Sequence, residues 1–182
     1  GEIAPGATLR GTATLGTAEA LLQQAQWGEA IDVLERYRLD HPGHANEAEV
    51  SAKLANAYEE LGDIPSAVVE YERIARNRDL PESVRGDAML YAADLAERSG
   101  NLAGSIALRE LFVTDYAPAR DIAILQMRHI ADLEGELGDT GRRRYWLEQL
   151  IERQRGSESA QSVQIASRAA LELADYNMQI FQ

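Results

Sequence analysis

The feature that most constrains this chain is a turn that recurs at a fixed interval. Gly62-Asp63, Gly100-Asn101 and Gly138-Asp139 each pair a glycine with a helix-capping residue, and the glycines stand 38 residues apart. Glycine closes one helix by entering the left-handed backbone region, and an Asp or Asn directly after it accepts the free N–H groups that open the next. A connection this short makes the two helices antiparallel. Ala25-Gln26-Trp27 occupies the same place 37 residues before Gly62, where alanine would sit in a left-handed conformation at a cost of about 1 kcal/mol.

The side-chain sizes follow the same interval. Ala55, Ala93 and Ala131 stand seven residues before their glycines, with Ala18 in the matching place of the first copy, and Ala30, Ala67 and Ser105 follow the turns. Small residues at these sites let two helices approach closely. Larger ones surround them and would fill the seam: Leu21, Trp27 and Leu34; Leu54, Tyr58 and Tyr71; Leu95, Leu102 and Phe112; Ile130, Leu133 and Leu147. From Thr17 onward the apolar spacing is three and four, never the alternation of strands, so the chain is all-α. His41-Pro42-Gly43-His44, Asp79-Leu80-Pro81 and Ala117-Pro118 separate the copies. Residues 1–16, rich in Gly, Ala and Thr, read as a linker or disordered segment. Arg143, where a small residue is expected, implies that the second helix of the fourth copy begins late or is displaced. Ser159 to Phe181 reads as one closing helix, with Ala169 and Ala170 inside.

Leu54, Ala55, Tyr58, Gly62, Ala67 and Tyr71 fall where the tetratricopeptide repeat (TPR) family carries its large, small and turn residues, and Pro42 matches that family's closing proline. The segment Ser51 to Ile74 therefore resembles one such motif. The resemblance implies a right-handed α-solenoid domain over residues 17–182, with repeats at about 17–42, 45–79, 81–117 and 118–156 and a terminal helix at 159–181. The interval exceeds the family's period of about 34 residues and is similar to TPR-like proteins of bacterial envelopes, which places the chain in the periplasm or envelope as an expectation. A HEAT-like two-helix unit is the alternative.

The same resemblance implies a non-enzymatic protein-protein interaction module that binds a peptide or protein segment on its concave face. Carried over by register, the partner-binding residues are Lys53, Asn56 and Glu60 in the second copy, Tyr91, Asp94 and Arg98 in the third, and Arg128, His129 and Asp132 in the fourth. Asn56 matches one position of the family's carboxylate clamp, but Asp87 and Tyr91 stand where that clamp needs other residues, so that specificity is not expected. Acidic groove residues suit a partner with a basic segment. The alternative is a structural or oligomerisation module acting through its ends, with self-association through Met178, Ile180 and Phe181.

Composition excludes several other classes. A formal net charge of −12 disfavours nucleic acid, whose phosphates need a basic face. The absence of cysteine removes disulfides, zinc-thiolate sites and Cys nucleophiles together. No apolar run reaches the ~20 residues that span a bilayer, and the first residues lack the layout of a signal peptide. Hydrolase and phosphate-loop motifs are missing, and neither a cofactor nor a metal is expected; His41 and His44 flank a turn without a third ligand. Arg85-Gly86-Asp87 falls inside a predicted helix, which denies it an extended loop. Arg142, Arg143 and Arg144 read as an intramolecular ion-pair surface.

Overall fold

The computed structural model describes residues 5–43, 46–116, 118–156 and 159–180. Among them it forms nine helices and no strand: α1 (Pro5–Gln23), α2 (Trp27–Asp40), α3 (Glu47–Leu61), α4 (Ile64–Arg76), α5 (Glu82–Arg98), α6 (Leu102–Asp115), α7 (Arg120–Glu136), α8 (Thr140–Gln154) and α9 (Ala160–Ile180). The fold divides into two compact units, Gly1–Ser99 with α1 to α5 and Gly100–Gln182 with α6 to α9. His44, Ala117, Phe181 and Gln182 lie outside the described residues.

Within the first unit α1 packs on α2, α2 on α3, α3 on α4 and α4 on α5. The α3–α4 turn shows why. Gly62 sits at φ 77° and donates its N–H to the Glu59 carbonyl, while the Asp63 N–H reaches back to the Tyr58 carbonyl at 2.9 Å. Asp63 then accepts from the Ser66 N–H at 3.3 Å and from the Ser66 hydroxyl at 2.7 Å, so the same two residues end α3 and start α4. Ala25 adopts φ 57° at the α1–α2 turn and is the one non-glycine with positive φ among the described residues. The chain repeats the reach-back there, Gln26 N–H to the Leu21 carbonyl at 2.9 Å, but Gln26 makes no side-chain cap.

The core of this unit gathers Leu15, Ala18, Ile31, Leu34, Tyr37, Val50, Leu54 and Ala57, with Leu22, Trp27, Val33 and Tyr58 packed against it. The small residues expected at close approaches, Ala18, Ala30, Ala55, Ala67, Ala93, Ser105 and Ala131, are all 0% exposed.

One expectation fails at the N-terminus. Residues 5–16, read as linker, form the first turns of α1. Their Gly content argues against a helix standing alone, but tertiary packing supplies what propensity lacks. Gly11 lies flat against α2, where an added Cβ would meet the Tyr37 ring at 3.4 Å and the His41 ring at 3.5 Å, and Leu15 is buried beside them. His41 itself packs on Tyr37, with ring centroids 4.7 Å apart.

A buried ion pair joins the second helices of the first two pairs. The Arg38 guanidinium on α2 donates twice to Glu70 on α4, at 2.9 and 2.6 Å, and lies 3.4 Å from the Ser51 hydroxyl on the intervening α3. Glu70 is 3% exposed. A carboxylate this deep is tolerable because a bidentate cation faces it, with Arg73 3.5 Å away on the same helix as a weaker second partner.

In the second unit α6 packs on α7, α7 on α8, and α9 on both α7 and α8. Ile124, Ile130, Leu133, Leu147 and Leu150 fill the core. Contrary to the displaced start expected for the fourth copy, α8 begins directly after Asp139, which accepts from the Arg142 N–H at 2.8 Å. Arg143 fits because the facing helix supplies the small residue instead: a Cβ on Gly135 would stand 3.1 Å from the Arg143 side chain. Each arginine of the basic run is paired within the unit, Arg142 with Glu110 and buried Glu134, Arg143 with Glu172 at 2.8 Å and Arg144 with Glu148 at 2.8 Å. On α9 the buried small residues are Ser162, Ala166 and Ala169, whereas Ala170 faces outward. In this register the Ser162 hydroxyl donates to Asp121 on α7 at 2.6 Å. Val163, Leu171 and Met178 are exposed on the same helix.

Two predictions follow from the turn and from the buried pair. Ala25→Gly should raise stability by about 0.5–1 kcal/mol and Gly62→Ala should lower it by at least as much, since one relieves and the other creates a left-handed Cβ clash partly offset by chain entropy; urea denaturation measures both. Arg38→Met should cost about 3 kcal/mol by leaving Glu70 buried without its bidentate partner, and the double change Arg38→Met with Glu70→Leu should recover most of it. Equal losses in the single and double variants would show that the pair is not coupled.

Candidate functional site

In the first unit α3 and α5 flank an open groove whose floor is α4. Its volume is 540 Å³, and its walls are Ala48 and Ala52 on α3, Val84, Ala88 and Tyr91 on α5, with Tyr71, Ile74 and Leu80 beneath; Glu49 and Asp87 stand among them as the two charged residues. The local sequence explains the shape. Ala48 and Ala52 are four apart, and Val84, Ala88 and Tyr91 are four and three apart, so each set occupies one helix face. Alanines leave the space that longer side chains would fill. Pro81 sets the start of α5 at φ −54° and ψ 143°, next to Leu80 at the groove edge.

Tyr71 and Tyr91 form one wall as a unit. The Tyr71 hydroxyl donates to one Glu59 oxygen at 2.8 Å and the Tyr91 hydroxyl to the other at 3.0 Å, with the rings edge to face at 4.7 Å. Burial, the hydrogen bond to Glu59 and its negative charge together push the Tyr71 phenol well above its ordinary range. The Tyr91 phenol is raised by burial and by Glu59, against a smaller opposing effect of Arg98. Both rings are therefore neutral hydrogen-bond donors held by a single carboxylate.

The residues expected to bind a partner fall into two sets. In the first unit Lys53, Asn56 and Glu60 share one face of α3, and Tyr91, Asp94 and Arg98 share one face of α5. Asn56, Glu60, Asp94 and Arg98 are exposed, and Tyr91 is 40% exposed. Lys53 is different. Its ammonium lies 3.1 Å from Glu19 on α1 and 3.2 Å from Glu49, and its side chain is 22% exposed. Partial burial pushes the ammonium's pKa down, but the two carboxylates outweigh it and the net shift is upward. Lys53 ties α1 to α3.

In the second unit Arg128 grips Asp132 through two donors, at 3.0 and 2.9 Å, and reaches Glu172 on α9 at 2.7 Å. Burial opposes the guanidinium's charge, and Asp132 and Glu172 more than restore it. The other Glu172 oxygen takes Arg143 from α8, so this carboxylate joins three helices. His129 is half-buried beside Arg128 in sequence. Thus Lys53 and Arg128, expected as groove cations, are engaged in ion pairs inside their own units.

The apolar part of the groove was missed in the sequence. Ala48, Ala52, Ile74, Leu80, Val84 and Ala88 carry no chemistry that a motif reading would single out. A signal was present on α5, where Val84, Ala88 and Tyr91 form an apolar face; Val84 is 44% exposed.

No protein-family model matches the chain, and no curated protein matches it. Solved structures do. Two crystal structures of a kinesin light chain-like protein of Podosopora anserina, with nearly identical TPR-like repeats, align with a TM-score of 0.52 at 18% identity. The alignments cover 97% of this chain and 92% of that one. At this identity the likeness is one of fold. Together with the antiparallel pairs, the turns with a left-handed residue and the buried small residues, it gives the chain a TPR-like helical-repeat fold.

Proposed function

We propose that the chain is a non-enzymatic protein-interaction module that receives a segment of a partner protein on the first-helix face of its N-terminal unit, between α3 and α5. The observation that carries this reading is an open groove with apolar walls flanked by helices of negative charge. α3 carries four carboxylates and one lysine, and that lysine is already clamped. α5 carries four carboxylates and two arginines. TPR-like folds generally serve protein–protein interaction, which agrees with this reading. Glu59 is occupied by two phenols and Glu49 by Lys53, an arrangement that suits a preformed binding surface better than acid–base chemistry. The negative field favours a partner segment rich in Lys and Arg, through faster encounter and a salt-dependent affinity.

Selecting random dodecapeptides displayed on phage against the intact protein tests this. Enriched peptides should carry net positive charge, and the double reversal Asp87→Lys with Asp94→Lys should weaken their binding about tenfold or more at low salt. Peptides of neutral or negative charge, bound equally by the reversed variant, would contradict the proposal.

A further inference from the structure

The groove has a specificity element that charge alone does not describe. Val84 and Tyr91 stand 44% and 40% exposed along a cradle that Ala48 and Ala52 leave wide. Exposed aliphatic and aromatic side chains around a concavity of 540 Å³ leave apolar surface in water, and burying it is favourable. The wall on the Tyr91 side is rigid, because Glu59 fixes both phenols. Little ordering is then required when a side chain enters.

We infer that this cradle seats one bulky apolar side chain, aromatic or leucine-like, of a basic partner segment. Lys or Arg residues flanking that anchor meet Asp87 on α5 and the other carboxylates of α3 and α5. The inference rests on the groove reading above and adds the anchor that selects among basic segments. Charge complementarity identifies the occupant. Lys53 is neutralised by Glu19 and Glu49, and the eight carboxylates of α3 and α5 outnumber their one lysine and two arginines, so the flanking helices carry net negative charge and would repel an acidic segment. The anchor supplies burial at the centre and the basic flanks supply attraction at the rim, the usual division of a compact interface.

The test uses the full chain and fluorescein-labelled dodecapeptides with a central Phe and two Lys on each side in a Gly-Ser background. Control peptides replace Phe by Ala, or every Lys by Glu. Fluorescence anisotropy should show the Lys-Phe peptide binding at least about tenfold tighter than either control. Ala52→Phe, which fills the cradle from an exposed position on α3, should abolish the advantage of Phe over Ala with the thermal midpoint kept. Val84→Ser should reduce it without filling anything. Equal binding of the Phe and Ala peptides, or an Ala52→Phe variant that binds both as before, would overturn the anchor while leaving the charge-based groove reading intact. Equal binding of the Lys and Glu peptides would overturn the basic partner and that reading with it. Light scattering that shows a dimer dissociated by Ala52→Phe would overturn the inference by giving the cradle to a second copy.

Discussion

The structure depends on a two-residue turn in which the first residue is left-handed. With Gly62 at φ 77°, α3 ends and α4 returns beside it within three residues, and Ala55 and Ala67 on the two helices are both at zero exposure. Ala25, Gly62, Gly100 and Gly138 all adopt positive φ. Three of the four turns also start the next helix with a side-chain cap, from Asp63, Asn101 and Asp139. The turn fixes direction, the small residues fix distance, and the larger apolar residues fill what remains. A helix pair made in this way still has an uncovered face, which only its neighbour in the chain can bury.

Polar contacts then connect helices that the turns do not. Arg38 on α2 reaches Glu70 on α4 across α3, and Lys53 on α3 reaches Glu19 on α1. In the second unit Arg142 on α8 reaches Glu110 on α6, and Arg128 on α7 reaches Glu172 on α9. In each unit, therefore, one pair joins alternate second helices and another joins alternate first helices. This arrangement has a consequence for binding. Lys53, which its register places on the groove, is engaged in holding α1 to α3, and the remaining charge on α3 and α5 is predominantly negative.

The turns and the small-residue positions were legible because both are local. A glycine followed by Asp or Asn says what the backbone does there, and a small residue at a fixed distance from it says which face is crowded. What escaped notice depends on residues distant in sequence. Residues 5–16 look like a linker until Tyr37 is placed beside Gly11. The late start expected for α8 ignored Gly135, which makes room for Arg143 from the opposite helix. Lys53 and Arg128 looked available because Glu19 and Glu172 stand 34 and 44 residues away. The cradle was hidden for a further reason: it is made by alanines, and a cavity is a matter of what side chains do not fill.

The central claim is that within each unit every helix packs on its neighbour in the chain, each exposed apolar face being completed by the next helix. Native-state hydrogen exchange followed by mass spectrometry tests it directly. In a nearest-neighbour array the end helices open first, so amides of α1 and α9 should exchange well before those of α3, α4, α7 and α8. A single level of protection shared by all the helices, lost in one step, would contradict it.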